Sequence, residues 1–216
     1  MESFLNFLIN FISQPNVWIV LMAYLIAGIP SGLLFAKFCC GVDIKSQGSK
    51  SIGATNVLRV LKQKDPKKAK VLAILTAICD ILKGVLPILI AKFLGFLPSV
   101  LWTMAVFAVI GHCFSPYLKF EGGKGVATGA GVLACFIPIE ILIAVIIWFV
   151  TGKVLKISSL ASLFALCGLF VASFLIHPQI PDINSHAPII IIAFIIIYKH
   201  IPNIKRLFCK EEEKVI

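Results

Sequence analysis

Long, nearly uncharged apolar runs separated by short polar islands leave this chain few folds to choose from. The first run, near residues 17–38, already matches the roughly 20 residues a helix needs to cross a bilayer. The composition agrees: 59% of residues are hydrophobic and 14% charged, with a mean hydropathy of +1.01. A soluble domain is about half apolar and a quarter charged. The expectation is an all-α integral membrane protein, with residues 1–216 forming a single transmembrane domain. A net charge of +10 then reads as lysine accumulated on cytoplasmic loops, not as a nucleic-acid surface, and no nucleic-acid motif is present.

Seven cysteines, Cys39, Cys40, Cys79, Cys113, Cys135, Cys167 and Cys209, are scattered without any Cys-x-x-Cys pair. That pattern signals neither a zinc site nor a disulfide framework; the expected role is as small buried hydrophobes. Residues 1–8 carry Glu2, no Lys or Arg and no clean cleavage site, so no removed signal peptide is expected.

Charge orients the spans. Residues 37–70 hold nine basic side chains, from Lys37 to Lys70, which puts that segment in the cytoplasm and the N-terminus outside. Residues 71–93 return outward, Gly95-Phe-Leu-Pro98 turns, and residues 99–113 come back in. Residues 125–150 allow two readings. One long helix would export Lys153, Lys156 and the basic C-terminal region. A hairpin broken at Pro138, a residue that interrupts helix interiors, keeps them inside. The hairpin satisfies the charge bias better. It gives about seven transmembrane helical segments, some short, with a cytoplasmic C-terminus. The 177–188 loop, free of Lys and Arg, falls outside.

Two polar islands then share the cytoplasmic face. In Gly48-Ser-Lys-Ser-Ile-Gly-Ala-Thr-Asn-Val-Leu-Arg59, the side chains of Ser49, Thr55, Asn56 and Arg59 offer hydrogen bonds and charge. Gly48 and Gly53 free the backbone. A helix starting near Ala54 would add unpaired N–H groups suited to an anion, with Thr55 and Arg59 one turn apart. In Phe120-Glu-Gly-Gly-Lys-Gly-Val-Ala-Thr128, the lysine Lys124 sits among Gly122, Gly123 and Gly125, a backbone able to wrap an anion. The plainer alternatives are a positive-inside loop for the first and a helix-to-helix turn for the second. The second is no Walker A loop, since Leu118 and Gly125 stand where Gly and Ser or Thr are needed.

Other polar positions read as structural. His112 closes a span. Asp80 and Lys83, three apart in an apolar run, read as a buried ion pair. His177 and Asp182 form a His-x-x-x-x-Asp pattern, but two prolines interrupt it and it falls on the wrong face, so it reads as coincidence. Glu211-Glu-Glu213 reads as a solvated charged end. His200 and Asn203 can face one way if the chain between them stays helical. A Gly-x-Ser-x-Gly elbow and a metal-ligand cluster are missing.

Taken as a set, the two islands, Gly111-His112 and His200-x-x-Asn203-Ile-Lys-Arg-Leu207 resemble the bacterial acyl-phosphate:glycerol-3-phosphate acyltransferases, the PlsY family. Asp80-Ile-Leu-Lys-Gly84 and Ser159-Leu-Ala-Ser162 also look like that family's segments, so the resemblance covers nearly the whole chain. It implies a seven-helix inner-membrane enzyme, its active site on the cytoplasmic side. Such an enzyme passes a fatty acyl group from acyl phosphate to the 1-hydroxyl of glycerol 3-phosphate, with no metal or nucleotide cofactor. It is linked functionally to whatever enzyme makes acyl phosphate. By matching position, Ser49, Thr55, Asn56, Arg59 and Lys124 are the phosphate ligands. Ser162, His200 and Asn203 orient substrate, and Gly122, Gly123 and Gly125 permit close approach. Two departures stand out: Ser51 where many members have Asn, and Pro202 between His200 and Asn203.

Two rival functions use the same loops: a transporter for a phosphorylated metabolite, and a non-catalytic scaffold binding anionic lipid. A transporter places its substrate near mid-membrane, often between repeats. Here the polar groups gather at one face and no repeat is evident, which favours an enzyme.

Overall fold

The structure, a computed structural model, describes residues 5–6 and 10–214. Most of the segment bearing the signal-peptide expectation, residues 1–4 and 7–8 of 1–8, lies outside the described residues. From Pro15 onward, nine α-helices and one 3-10 turn make up the regular structure. They are α1 Pro15–Ala27, α2 Ser31–Cys40, α3 Ala54–Leu61, α4 Pro66–Phe93 and α5 Pro98–Cys113. After the 3-10 turn Pro116–Leu118 come α6 Val126–Ala134, α7 Pro138–Leu155, α8 Ser158–Ile176 and α9 Ala187–Phe208. Among the described residues, six stretches are long and apolar enough to cross a membrane. The remaining apolar segment is the nine-residue α6, which at 1.5 Å per residue is too short to span alone.

Proline writes several of the boundaries. Pro15, Pro66, Pro98 and Pro138 each open a helix, where the missing N–H costs nothing. Pro138 breaks the 125–150 run as the hairpin reading requires. Pro202, by contrast, lies inside α9, which runs on through it.

The first apolar run, expected as one span near residues 17–38, forms a single stretch Pro15–Cys40 long enough to cross a membrane, but it is not one continuous helix. It divides into α1 and α2 at Gly28-Ile29-Pro30, because Pro30 donates no hydrogen bond and restricts the residue before it. Broken backbone at this depth needs partners from within the protein. Ser115 Oγ donates to Gly28 O at 2.6 Å and Lys83 Nζ donates to Ile29 O at 2.9 Å. Lys83 also pairs with Asp80 at 2.8 Å, so the buried pair is structural, as read.

Two apolar cores result. The larger joins α1, α4, α5, α6, α7, α8 and α9 around Met104, Val109, Ile137 and Ile192. The smaller packs α2 and α3 on the start of α4, with Val42 and Ile44. Outward faces carry large apolar side chains, among them Phe93, Phe149, Leu175 and Phe194, as lipid contact demands. All seven cysteines are free thiols, and only Cys113 is buried; Cys39, Cys167 and Cys209 are exposed. The expectation of seven buried cysteines is therefore wrong: on a lipid-facing helix an apolar thiol gains nothing by turning inward. His177 pairs with Glu140, so the His-x-x-x-x-Asp pattern is coincidental in the structure as in the sequence.

Candidate active site

The first island builds its site around Asn56, whose side chain is committed to the loop. Its Nδ2 donates to Ile44 O at 3.0 Å, Gln47 O at 3.2 Å and Ser51 O at 2.8 Å, while Oδ1 accepts the Ser49 N–H at 2.9 Å. With its donors used and its oxygen accepting the Ser49 N–H, Asn56 holds Ser49 and Ser51 in place. Gly48 is needed here: its φ is +57°, and a Cβ would strike Asn56 Oδ1. The helix does start at Ala54, and Thr55 Oγ1 lies 3.1 Å from Ser158 Oγ, joining α3 to α8. Arg59, one turn on, faces the same space.

In the second island, Gly122 and Gly123 pack against the end of α5, while Gly125 lines the cavity. Gly122 and Gly123 donate their N–H groups to Cys113 O and His112 O, both at 3.0 Å. A Cβ on Gly122 would strike His112 O, and one on Gly123 would strike the His112 ring. The loop thus lies flat on the end of α5, and neither glycine lines the cavity. Their close approach is to His112. Gly125, with φ +82°, caps α6 and delivers Lys124 into the cavity. Burial is the main cause that holds the Lys124 ammonium down from its usual range, to about 8. Glu212 raises it, and Arg206 and Arg59 lower it further. Lys124 makes none of the ion pairs seen among the described residues.

The third cluster hangs from the end of α9. His200 and Asn203 are both buried on one face, which Pro202 does not disturb. His200 Nδ1 lies 2.8 Å from Ile196 O. A carbonyl only accepts, so Nδ1 carries the proton and Nε2 is left as an acceptor. Asn203 Nδ2 donates to Glu212 Oε1 at 2.6 Å, as does Ser159 Oγ at 2.7 Å, and Arg206 Nε donates to Glu212 Oε2 at 2.6 Å. Glu212 is therefore no solvated tail residue. Burial would raise its carboxyl pKa, but the hydrogen bonds from Ser159, Asn203 and Arg206 outweigh it and hold the carboxyl below its usual range. Its neighbour Glu213 reaches within 3.2 Å of Arg59 Nε.

These parts enclose one cavity of about 400 Å³. Ser49, Ser51, Thr55, Asn56, Arg59, Lys124, Gly125, Ser162 and His200 all line it, together with Ser158, Ser159 and Glu212. Asn203 acts on it through Glu212. Ser162 donates to Ser158 O at 3.0 Å and accepts from Trp148 Nε1 at 3.3 Å. Asp80 and His112, 3.8 Å apart, close one side. Sequence reasoning missed Glu212 because an acidic chain end usually stays in water; the signal available was its place one turn beyond the basic end of α9. Among the described residues no His, Cys, Asp and Glu group has the makings of a metal site.

The sequence model of the glycerol-3-phosphate acyltransferase family matches residues 17–210. The chain belongs to this family. A glycerol-3-phosphate acyltransferase of Campylobacter concisus (strain 13826) is 64% identical over 203 residues, covering 94% of this chain and all of the relative. Among solved structures, the glycerol 3-phosphate form of PlsY (YgiH), an integral membrane glycerol 3-phosphate acyltransferase, superposes with a TM-score of 0.83 at 35% identity. That match covers 93% of this chain and 96% of the other. The lysophosphatidic acid form gives 0.81 at the same identity, covering 93% and 95%. Membership in the glycerol-3-phosphate acyltransferase family thus rests on residues 17–210, which hold every cavity-lining residue except Glu212.

Proposed function

We propose that this chain transfers a fatty acyl group from acyl phosphate to the 1-hydroxyl of glycerol 3-phosphate, forming lysophosphatidic acid and phosphate. One observation carries the reading: a single cavity joins a cationic, hydroxyl-rich end to an apolar trough. A phosphate that must meet a fatty chain needs both. Arg59 and Lys124 neutralise substrate phosphates, with Ser49 and Thr55 adding hydrogen bonds, while His200 Nε2 accepts from the 2-hydroxyl and so orients the glycerol. The 1-hydroxyl oxygen attacks the acyl carbonyl carbon, the bond from carbonyl carbon to phosphate oxygen breaks, and the 1-hydroxyl proton passes to a substrate phosphate oxygen. Acyl phosphate already has a good leaving group, so positioning and charge neutralisation supply much of the rate. The relatives that match are named for the same acceptor, glycerol 3-phosphate.

The charge bias supports a multi-pass protein of the bacterial inner membrane, its active site facing the cytoplasm. Both substrates then arrive from that side, the acyl phosphate from the enzyme that makes it. No metal or nucleotide takes part in this scheme.

The test is phosphate release from palmitoyl phosphate by the purified protein in mild detergent, with and without glycerol 3-phosphate, beside palmitoyl-CoA. Release that needs glycerol 3-phosphate, is absent with palmitoyl-CoA and is lost in Lys124→Ala is the expected result. A folded preparation that makes no lysophosphatidic acid would falsify the scheme and turn attention to transport of phosphorylated solutes.

A further inference from the structure

The apolar end of the cavity has a definite depth. On α8 its lining runs from Ser158 to Leu169, eleven steps of about 1.5 Å, or roughly 17 Å at the helical rise. That is close to one leaflet's share of a hydrocarbon core roughly 30 Å thick. The walls are built from small residues, including Ala130, Ala144 and Ala165, which is why a trough exists there at all. At the deep end the lining changes to large branched side chains. Leu133 from α6, Ile141 from α7 and Leu169 from α8 converge, 1%, 8% and 5% exposed. Ile137, at the turn between α6 and α7, is fully buried in the same apolar core as these three side chains.

We infer that Leu133, Ile141 and Leu169 form a floor that measures the acyl chain, setting which chain lengths this protein uses. The inference rests on the acyl-phosphate reading above. The occupant follows from continuity: a chain whose head sits between Arg59 and Lys124 enters the trough directly. One competing exit exists, a side opening where Ile81 and Val145, 37% and 49% exposed, rim the same cavity towards the membrane. A tail leaving there would never meet the floor.

The deciding experiment measures kcat/KM of the purified full chain with acyl phosphates from dodecanoyl to octadecanoyl at saturating glycerol 3-phosphate. Wild type, Leu169→Ala, Leu133→Ala, Ala144→Leu and Ala165→Leu are compared. Ratios between chain lengths within one preparation do not depend on the folded fraction, so partial misfolding does not blur the result. The floor predicts that the alanine variants shift preference to longer chains and the leucine variants to shorter ones. The ratio for a two-carbon difference should change about tenfold, the scale of one or two methylenes in an apolar pocket. An active wild type whose ratios stay within about twofold in every variant overturns the floor and assigns the tail to the side opening. A wild type inactive on every acyl phosphate overturns the donor reading and the floor with it.

Discussion

Lys124 titrates where an experiment can see it. Its ammonium is charged below about 8 and neutral above, whereas a phosphate monoester, with its second pKa near 6, is already a dianion over that range. Raising the pH through 8 therefore removes the cation without changing the substrate. We predict that kcat/KM for glycerol 3-phosphate falls with rising pH above about 8, approaching tenfold per unit. Bound dianion favours the charged lysine, so the inflection in kcat lies higher than that in kcat/KM. Lys124→Arg, charged at every accessible pH, should abolish the inflection even at reduced activity; an unchanged profile in that variant would refute the assignment. A second residue-scale prediction concerns Lys210. Lys210 N–H bonds to Leu207 O and Glu211 N–H to Arg206 O, at 3.2 and 2.8 Å, the bond pattern of a helix end that favours glycine in the left-handed position. Here lysine occupies it, at φ +58°. Lys210→Gly should stabilise the folded protein by about 0.5–1 kcal/mol, net of the extra chain entropy glycine loses, read as a raised midpoint of thermal unfolding in detergent.

That left-handed residue matters to a whole element, because it turns the chain after α9 back onto α8. Glu212 then ties Ser159, Asn203 and Arg206 together with its side chain only 4% exposed. Removing one member of a buried charged cluster strands the others. Glu212→Ala should cost about 3 kcal/mol of stability and most of the activity; Glu212→Gln, which keeps acceptors for Ser159, should recover part of the stability. The same logic at the second island makes Gly123→Ala informative. A methyl there meets the His112 ring, so the loop must lift and carry Lys124 with it. The expected outcome is a KM for glycerol 3-phosphate raised about tenfold, roughly 1.4 kcal/mol, with kcat less affected; loss of kcat alone would argue for a different role. These elements also mark where sequence stops informing. Helix starts at Ala54 and Pro138 were legible because glycine, proline and apolar period are local signals. The α1–α2 break was not, since Pro30 is tolerated in this run only when Ser115 and Lys83, distant in sequence, satisfy Gly28 and Ile29. Gly122 and Gly123 were visible as special, but their contact with His112 was not, because glycine spacing does not say which neighbour comes close.

At the scale of the whole molecule, the site gathers at one end of the bundle and the Glu140–His177 pair sits at the other. Most basic residues sort with the first: Lys37, Lys45, Lys50, Arg59, Lys124, Lys156 and Arg206 all lie in or beside segments at the site's end. The 177–188 loop carries no Lys or Arg, and Lys92 stands near the end of α4 at the opposite side. Basic loops resist translocation, so this asymmetry predicts that the site's end faces the cytoplasm. Free thiols make that checkable. Cys39 and Cys209 are exposed at the ends of α2 and α9, whereas Cys167, exposed in the middle of α8, would face hydrocarbon where aqueous reagents do not reach. In intact cells a membrane-impermeant maleimide should leave Cys39 and Cys209 unmodified until the membrane is opened. Gln179→Cys, at an exposed position of the opposite loop, should be labelled at once. The reverse pattern would place Lys124 outside the cell, away from any cytoplasmic acyl phosphate. The donor would then have to cross the membrane before reaching the cavity, so orientation and donor identity stand or fall together.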